Sequence, residues 1–510
     1  MENDSCSSSA RPGHTRNSCL NAFNIALNET CDGKSWYTST KELQLASLEF
    51  CMACRNYQTL HLKVDAQTPR RLLAGADASP PHPKRPYLTR VPGLRARRVT
   101  WNTSTAVEMK KPIFAMTNVE RLKFGRDFQG SLEAVVWPPR LKTIEFSYSS
   151  SFNEPISLVK WPASLQIMHL SRAFNQPIEG ASWPDSLLTL TFGPEFSHPI
   201  EGVFWPGSLQ NLPFGGFNQP IARVSWPASL QELDLGWSFN QPIEGVSWPN
   251  ELQYLDFGQK FNQPITRVSW PASLQELDLG WSFNQPIAGV SWPDSLQKLS
   301  FGGLNEPIAR VSWPASLQEL NLGWSFNQPM MGVSWPDSLR KLRFGEEFNQ
   351  PVVGVSWPHS LQELVFGRDF NQAISGVSWS ASLQVLSFGK QFNQPIHGVS
   401  WPVSLRKLTF SGRFSQPIEG ASWPDSLQKL DFGKEFNQPI EGVSWPKSLQ
   451  ELRFGYYFNQ PIKKSCWPAS LRRLEVGREF KQDTAGVRWP PGFEKNGLHV
   501  ARWWEGRSMR

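Results

Sequence analysis

Apolar and polar positions alternate in short bursts along most of this chain, and the bursts recur at a fixed interval. In Leu449-Gln450-Glu451-Leu452-Arg453-Phe454 the apolar Leu452 and Phe454 alternate with Glu451 and Arg453. Alternation at period two puts Leu452 and Phe454 on one face and Glu451 and Arg453 on the other, which predicts a short half-buried strand. Pro439 and Pro446 exclude a helix of ordinary length from the rest of the unit. Trp445-Pro446-Lys447-Ser448 reads as a type I turn with Pro at its second position. Ile440, Val443 and Trp445 then supply an extended return leg that also faces inward.

The unit that begins at Phe436 starts again at Phe458, a period of about 22 residues. Its Trp recurs at 17 positions, from Trp137 and Trp161 to Trp467 and Trp489, in 16 intervals of which 13 equal that period. One interval is 24 and two are 21; both short ones lose a residue at Gly215-Gly216-Phe217 and Gly302-Gly303-Leu304, as expected of a surface turn. Such a period predicts a solenoid in which each coil packs only on its neighbours, with identical residues stacked in columns. A buried Asn437 column would satisfy backbone groups of the adjacent coil. Gly442 is replaced by Arg223, Arg267 and Arg310 in other copies, so no positive φ is expected there. Gly455 varies only to Ser147, Ser171 and Ser411, which fits a tight exit from the strand.

Leu-x-x-Leu-x-Phe-Gly followed by Phe-Asn-x-Pro-Ile, as in Leu427 to Gly433 and Phe436 to Ile440, resembles the FNIP repeat, a relative of the leucine-rich repeat. The resemblance covers roughly residues 117–490, with departures at Gln129, Ser197, Ser415 and Lys481 in the Asn column and at Leu304 for Phe. It implies a curved, mainly β array of about 17 coils with one parallel sheet on the concave face and little helix. It also implies an interaction surface, sometimes accompanied by an F-box or a kinase domain. No convincing F-box pattern is present in residues 36–66.

Composition sharpens the domain picture. Of the 510 residues 39% are apolar, with no run long enough to span a membrane and no apolar secretory leader. The net charge of +7 sits in residues 1–116, which hold 16 Lys plus Arg against 9 Asp plus Glu; the rest is neutral. Residues 1–35 read as disordered, and 36–66 as a small domain or degenerate cap with a helix and a strand. Residues 67–116 read as a basic, Pro-rich linker leading into the array at 117–490, and 491–510 as a cap or tail with Trp503-Trp504 shielding the last coil. The linker contains Pro80-Pro81-His82-Pro83-Lys84-Arg85-Pro86 and Arg95-Ala96-Arg97-Arg98, a solvated spacer or a nuclear address. Cys51-Met52-Ala53-Cys54 is half a zinc motif with no second half, so no metal is expected. The reading is a cytosolic chain, with a nuclear one allowed by the linker.

No catalytic constellation emerges: the His residues occupy different positions in their repeats, and neither a phosphate loop nor a nucleophile elbow is present. No cofactor, membrane or nucleic-acid partner is expected, and the oligomeric state is left open. The expected function is a non-enzymatic protein-interaction scaffold; a ubiquitin-ligase substrate receptor and a carbohydrate-binding array are the alternatives. The candidate surface is set by a second rhythm of two repeats, about 44 residues, within 217–339. Glu232 and Asp234, Tyr254 and Asp256, Glu276 and Asp278, and Glu319 and Asn321 point outward from their strands. Beyond the next Gly stand Trp237, Trp281 and Trp324, where other units carry Gln259, Glu346 and Lys390. These Trp are expected to be exposed and about 10 Å apart on alternate coils. They border six carboxylates with no Lys or Arg among the strand positions named. Such a strip suits an extended basic segment of a partner, with Lys341 and Arg343 reversing the sign beyond it.

Overall fold

In the computed structural model, residues 60–64, 96–101, 119–494 and 497–500 are described. The expected disorder of 1–35, the Cys51–Cys54 pair, the linker stretch 67–95 and Trp503-Trp504 lie outside them. The described residues contain strands and turns and no helix. The chain divides into two compact units, 1–219 with 224–230, and 220–223 with 231–510.

The first unit holds β1 (Leu60–Val64), β2 (Ala96–Trp101), β3 (Arg121–Phe124), β4 (Thr143–Phe146), β5 (Ile167–His169), β6 (Thr189–Thr191) and β7 (Asn211–Pro213). They pair in chain order, all parallel. The ladder thus begins before residue 117: Leu62 lies opposite Val99, and Val99 opposite Leu122.

The second unit continues with β8 (Glu232–Asp234), β9 (Tyr254–Asp256), β10 (Glu276–Asp278), β11 (Lys298–Ser300), β12 (Glu319–Asn321) and β13 (Lys341–Arg343). Then come β14 (Glu363–Val365), β15 (Val385–Ser387), β16 (Lys407–Thr409), β17 (Lys429–Asp431), β18 (Glu451–Arg453), β19 (Arg473–Val476) and β20 (Leu498–Val500). Parallel pairing in register puts Leu over Leu at every step, as Leu430 over Leu452 and Leu452 over Leu474.

A single coil has three turns. Val443 N–H donates to the Ile440 carbonyl (3.4 Å), Leu449 N–H to Pro446 (3.2 Å) and Phe458 N–H to Gly455 (3.3 Å). The second turn therefore starts at Pro446 and is centred on Lys447 and Ser448, one residue later than the sequence suggests. A residue before Pro is driven to extended backbone, which keeps Trp445 on the straight leg with its ring inward. The first turn corrects the reading of Gly442, whose φ is 81°. Positive φ at the third position defines a type II turn, and Gly is the residue that adopts it without strain. A Cβ at Gly376, in the same column with φ 80°, would meet nothing within 4 Å, which leaves room for the Arg side chains of other copies. In the column of Gly455 space is tight, and several of its Gly, Gly236, Gly280 and Gly433 among them, also have positive φ. A Cβ at Gly455, or at Gly389 and Gly367, would overlap the carbonyl oxygen of the Gly one coil earlier.

The core is three aromatic columns flanked by aliphatic ones. Phe432 stacks on Phe454 at 5.5 Å, Phe436 on Phe458 at 6.1 Å, and Trp445 on Trp467 at 6.0 Å. Leu449, Leu452, Phe454, Phe458 and Ile462 are all buried. Trp indole N–H groups of the column, that of Trp445 included, are buried without a protein acceptor. The ring of Trp445 stands edge-on to Phe432 and Phe454.

Side chains form polar ladders beside this core. Asn437 Oδ1 accepts from Asn459 N–H at 2.9 Å, and Asn349 Oδ1 from Asn371 N–H at 2.9 Å. Gln460 Nε2 donates back to the Asn437 carbonyl at 3.0 Å. The Asn column performs the expected role, but from the surface: Asn349 and Asn371 are half-buried and Asn437 is exposed. A second ladder, not foreseen, runs through Ser: Ser338 Oγ donates to the Leu317 carbonyl and Ser470 Oγ to that of Leu449, at 2.7 and 2.8 Å.

Two sets of changes test this packing. Trp357 is 7% exposed and stacks on Trp379, so Trp357→Ala should cost about 3–5 kcal/mol in a urea titration. A silent change would place the Trp column outside the core. Gly376→Ala should cost about 1–2 kcal/mol, the penalty for a left-handed residue. Gly389→Ala should cost more, because coils must separate to admit the methyl; equal effects would refute the distinction between the two columns.

Candidate functional site

The outward residues of β8 to β13 form two rows. Glu232, Tyr254, Glu276, Lys298, Glu319 and Lys341 stand opposite one another in the first row. Asp234, Asp256, Asp278, Ser300, Asn321 and Arg343 form the second. The eight strand residues proposed from sequence therefore do converge on one face. Sequence reasoning left out β11, whose Lys-Leu-Ser sits between Glu276 and Glu319.

That omission changes the electrostatics. Lys298 Nζ donates to Glu276 Oε1 at 2.6 Å, and Lys341 Nζ to Glu319 Oε1 at 2.6 Å. Arg343 turns away to Glu363 at 2.7 Å. The acidic strip is thus shorter than expected, centred on Asp234, Asp256 and Asp278. None of these three pairs with a Lys or Arg among the described residues.

Each of the three also has a local task. Asp234 Oδ1 accepts from Gly236 N–H, Asp256 from Gly258 and Asp278 from Gly280, at 2.7, 2.7 and 2.8 Å. Asn321 does the same for Gly323 at 3.1 Å. A short side chain reaching its own backbone two residues on fixes the exit from the strand. Tyr254 adds its hydroxyl, which donates to Asp256 Oδ2 at 3.3 Å.

Stacking like charges has a cost. Burial is the main force pushing Asp234 and Asp278 up to about 6 from 3.8, and the charge of Asp256 adds to it; the Gly N–H groups pull the other way. Burial and the same three carboxylates also raise the Tyr254 phenol. Next to Asp278, then, the surface holds negative charge that no cation among the described residues pairs with.

The three Trp are exposed, at 48%, 58% and 40% for Trp237, Trp281 and Trp324. Their spacing differs from the even, two-coil separation expected from sequence. Trp281 and Trp324 lie in contact, ring centroids 5.3 Å apart and planes at 42°. The coil between them turns through Gly302-Gly303, one residue shorter than usual and with no side chain, so the two rings close over it. Trp324 N–H donates to the Gly302 carbonyl at 2.5 Å, which fixes the approach. Between Trp237 and Trp281, by contrast, stands Gln259.

The arrangement has no group of three or more His, Cys, Asp or Glu placed to hold a metal among the described residues. No helix among them is long and apolar enough to cross a membrane.

Comparison with known proteins adds the family. Eight segments, 174–216, 217–260, 261–303, 305–347, 348–391, 392–435, 414–457 and 436–479, match the FNIP Repeat. The chain belongs to the FNIP repeat family. Each matched segment spans two coils, and together they cover more than half of the chain. No curated protein matches the sequence. Among solved structures, this FNIP array is similar to CroV588, described as a novel circular LRR protein, with 33% identity and a TM-score of 0.61 over 79% of this chain and 69% of that one. It is also similar to the chain in the TLR13–ssRNA13 complex, at 16% identity and a TM-score of 0.44, covering 88% of this chain and 62% of that one. The FNIP repeats of this chain thus form a parallel solenoid of the leucine-rich-repeat kind.

The raised Asp groups give a pH test. Well below pH 3.8 both states are protonated; as pH rises towards 6 the unfolded chain ionises first, so these two groups lower stability over that window. Asp278→Asn keeps an acceptor for Gly280 N–H, as Asn321 does for Gly323. The variant should melt above the parent at pH 7, and the difference should shrink towards zero as pH falls well below 3.8. A constant difference across that range would show that Asp278 is not raised.

Proposed function

We propose that this FNIP array is a non-enzymatic interaction scaffold, and that β8 to β12 dock an extended basic segment of a protein partner. The observation that carries this reading is the Trp281–Trp324 contact, two half-exposed indoles, with Trp281 following Asp278 by three residues at the exit of the acidic strands. A Lys or Arg over an exposed indole gains about 0.5–1 kcal/mol, and more as water is excluded. The charge on Asp234, Asp256 and Asp278 supplies the sign. Lys298 and Lys341 limit the strip at the β11 side and would give a bound segment its direction.

Anisotropy with a labelled peptide of alternating Arg and Ser tests this. Changing Trp237, Trp281 and Trp324 together to Gln should weaken binding at least tenfold, three cation–π contacts amounting to about 1.5–3 kcal/mol. Lys390→Gln and Lys434→Gln serve as exposed controls. Binding should also fall between pH 7 and pH 5, as Asp234 and Asp278 take up protons. Undiminished binding by the folded triple variant would remove the patch from consideration.

A further inference from the structure

We propose that the occupant of this strip is a proline-rich basic segment in the polyproline II conformation, an inference that rests on the basic-segment reading above. Three features of the surface favour this conformation over a strand or a flexible chain.

The first is the state of the backbone. β9 is paired on both sides, to β8 and β10, and β11 to β10 and β12. The face therefore offers side chains alone, and a ligand cannot add itself as a further strand. Its own N–H and C=O groups must stay hydrated, and polyproline II is the extended form that leaves them so.

The second is spacing. Two coils of a parallel ladder are about 9.6 Å apart, twice the strand separation. Asp234 and Asp278 are two coils apart, as are the strand exits that carry Trp237 and Trp281. Polyproline II repeats a face every three residues, about 9.3 Å. A β-strand repeats it every two residues, about 6.8 Å, and falls out of step within one interval.

The third is the shape of the aromatic end. Trp281 and Trp324 meet at 42° above Gly302-Gly303 and leave both rings half exposed. Aromatic-lined surfaces take proline rings at low entropic cost, because the ligand is already extended before it binds. Basic residues on the adjoining faces of such a helix then come over the Asp row.

This chain supplies a sequence with the required pattern to use as a probe. In residues 80–95, Pro80, Pro83 and Pro86 fall at every third position. Lys84, Arg85, Arg90 and Arg95 accompany them, with no Asp or Glu.

A labelled synthetic peptide with the sequence of residues 80–95 should bind the full chain in low salt. Replacing its prolines by Ala should weaken binding at least fivefold, and replacing its Lys and Arg by Glu should abolish it. The Trp237, Trp281 and Trp324 to Gln variant should bind it at least tenfold more weakly. So should a variant with Asp234, Asp256 and Asp278 changed to Asn, which keeps the acceptors for the Gly N–H groups and so guards against loss of fold. If the Ala peptide binds as tightly as the parent, the polyproline II inference fails while the basic-segment reading stands. If neither this peptide nor the Arg–Ser peptide binds, both fail. Binding that survives the Trp and Asp changes places the peptide elsewhere and overturns both.

Discussion

Every coil must lie one strand separation, about 4.8 Å, from the next, and the remainder of the structure follows from that constraint. It brings each side chain over its counterpart in the neighbouring coil, so a residue is selected for how it packs against itself. Phe and Trp meet this well, as the stacked columns through Phe454 and Trp445 show. Asn meets it because one amide both accepts from the next backbone and leaves its neighbour free to donate. At Gly455 the backbones themselves come together, and even a methyl group has no place. A coil alone has none of these partners, which makes stability a property of adjacent pairs.

The periodic part of this was legible in the sequence. Alternation at Leu452 and Phe454, the inward Trp and the Asn ladder all recur often enough to be read from one copy and checked against the others. The misreadings concern backbone geometry that side-chain identity does not report. Arg223, Arg267 and Arg310 suggested an ordinary φ at the Gly442 position. That turn tolerates a side chain sterically while still placing its Gly residues in the left-handed region. The shift of the turn at Pro446 reflects the restriction Pro places on Trp445, a neighbour effect. The strand β1 (Leu60–Val64) falls within residues 36–66, which were read as holding a helix and a strand. Its membership of the ladder could not be read, because its separation from β2 along the chain does not match the repeat period.

The candidate surface was legible in part for the same reason. Outward positions follow from period two, and exposure of the Trp column from the polar residues that replace it elsewhere. The contact between Trp281 and Trp324 depends on a missing residue at Gly302-Gly303, an interruption of the pattern whose side-chain consequence needs coordinates. The pairing of Glu276 with Lys298 was present in the sequence too, but on a coil outside the more conspicuous motif.

Duplication of a two-coil block accounts for much of the likeness among these repeats, and it offers a rival explanation for the Trp. It does not account for the Asp row. Asp234 and Asp278 belong to the Trp-bearing coil, whereas Asp256 belongs to the plainer one, whose counterparts in the following blocks carry Ser300 and Arg343. Copying alone would have placed the same residue at 256, 300 and 343. Nor does the turn demand a carboxylate, since Asn321 accepts from Gly323 without charge. Three adjacent carboxylates, two of them pushed up by burial and none paired with a Lys or Arg among the described residues, cost stability that Asn would spare. A row that is acidic across two kinds of coil, its last member three residues before Trp281, carries the sign of charge that the proposed cationic segment would need.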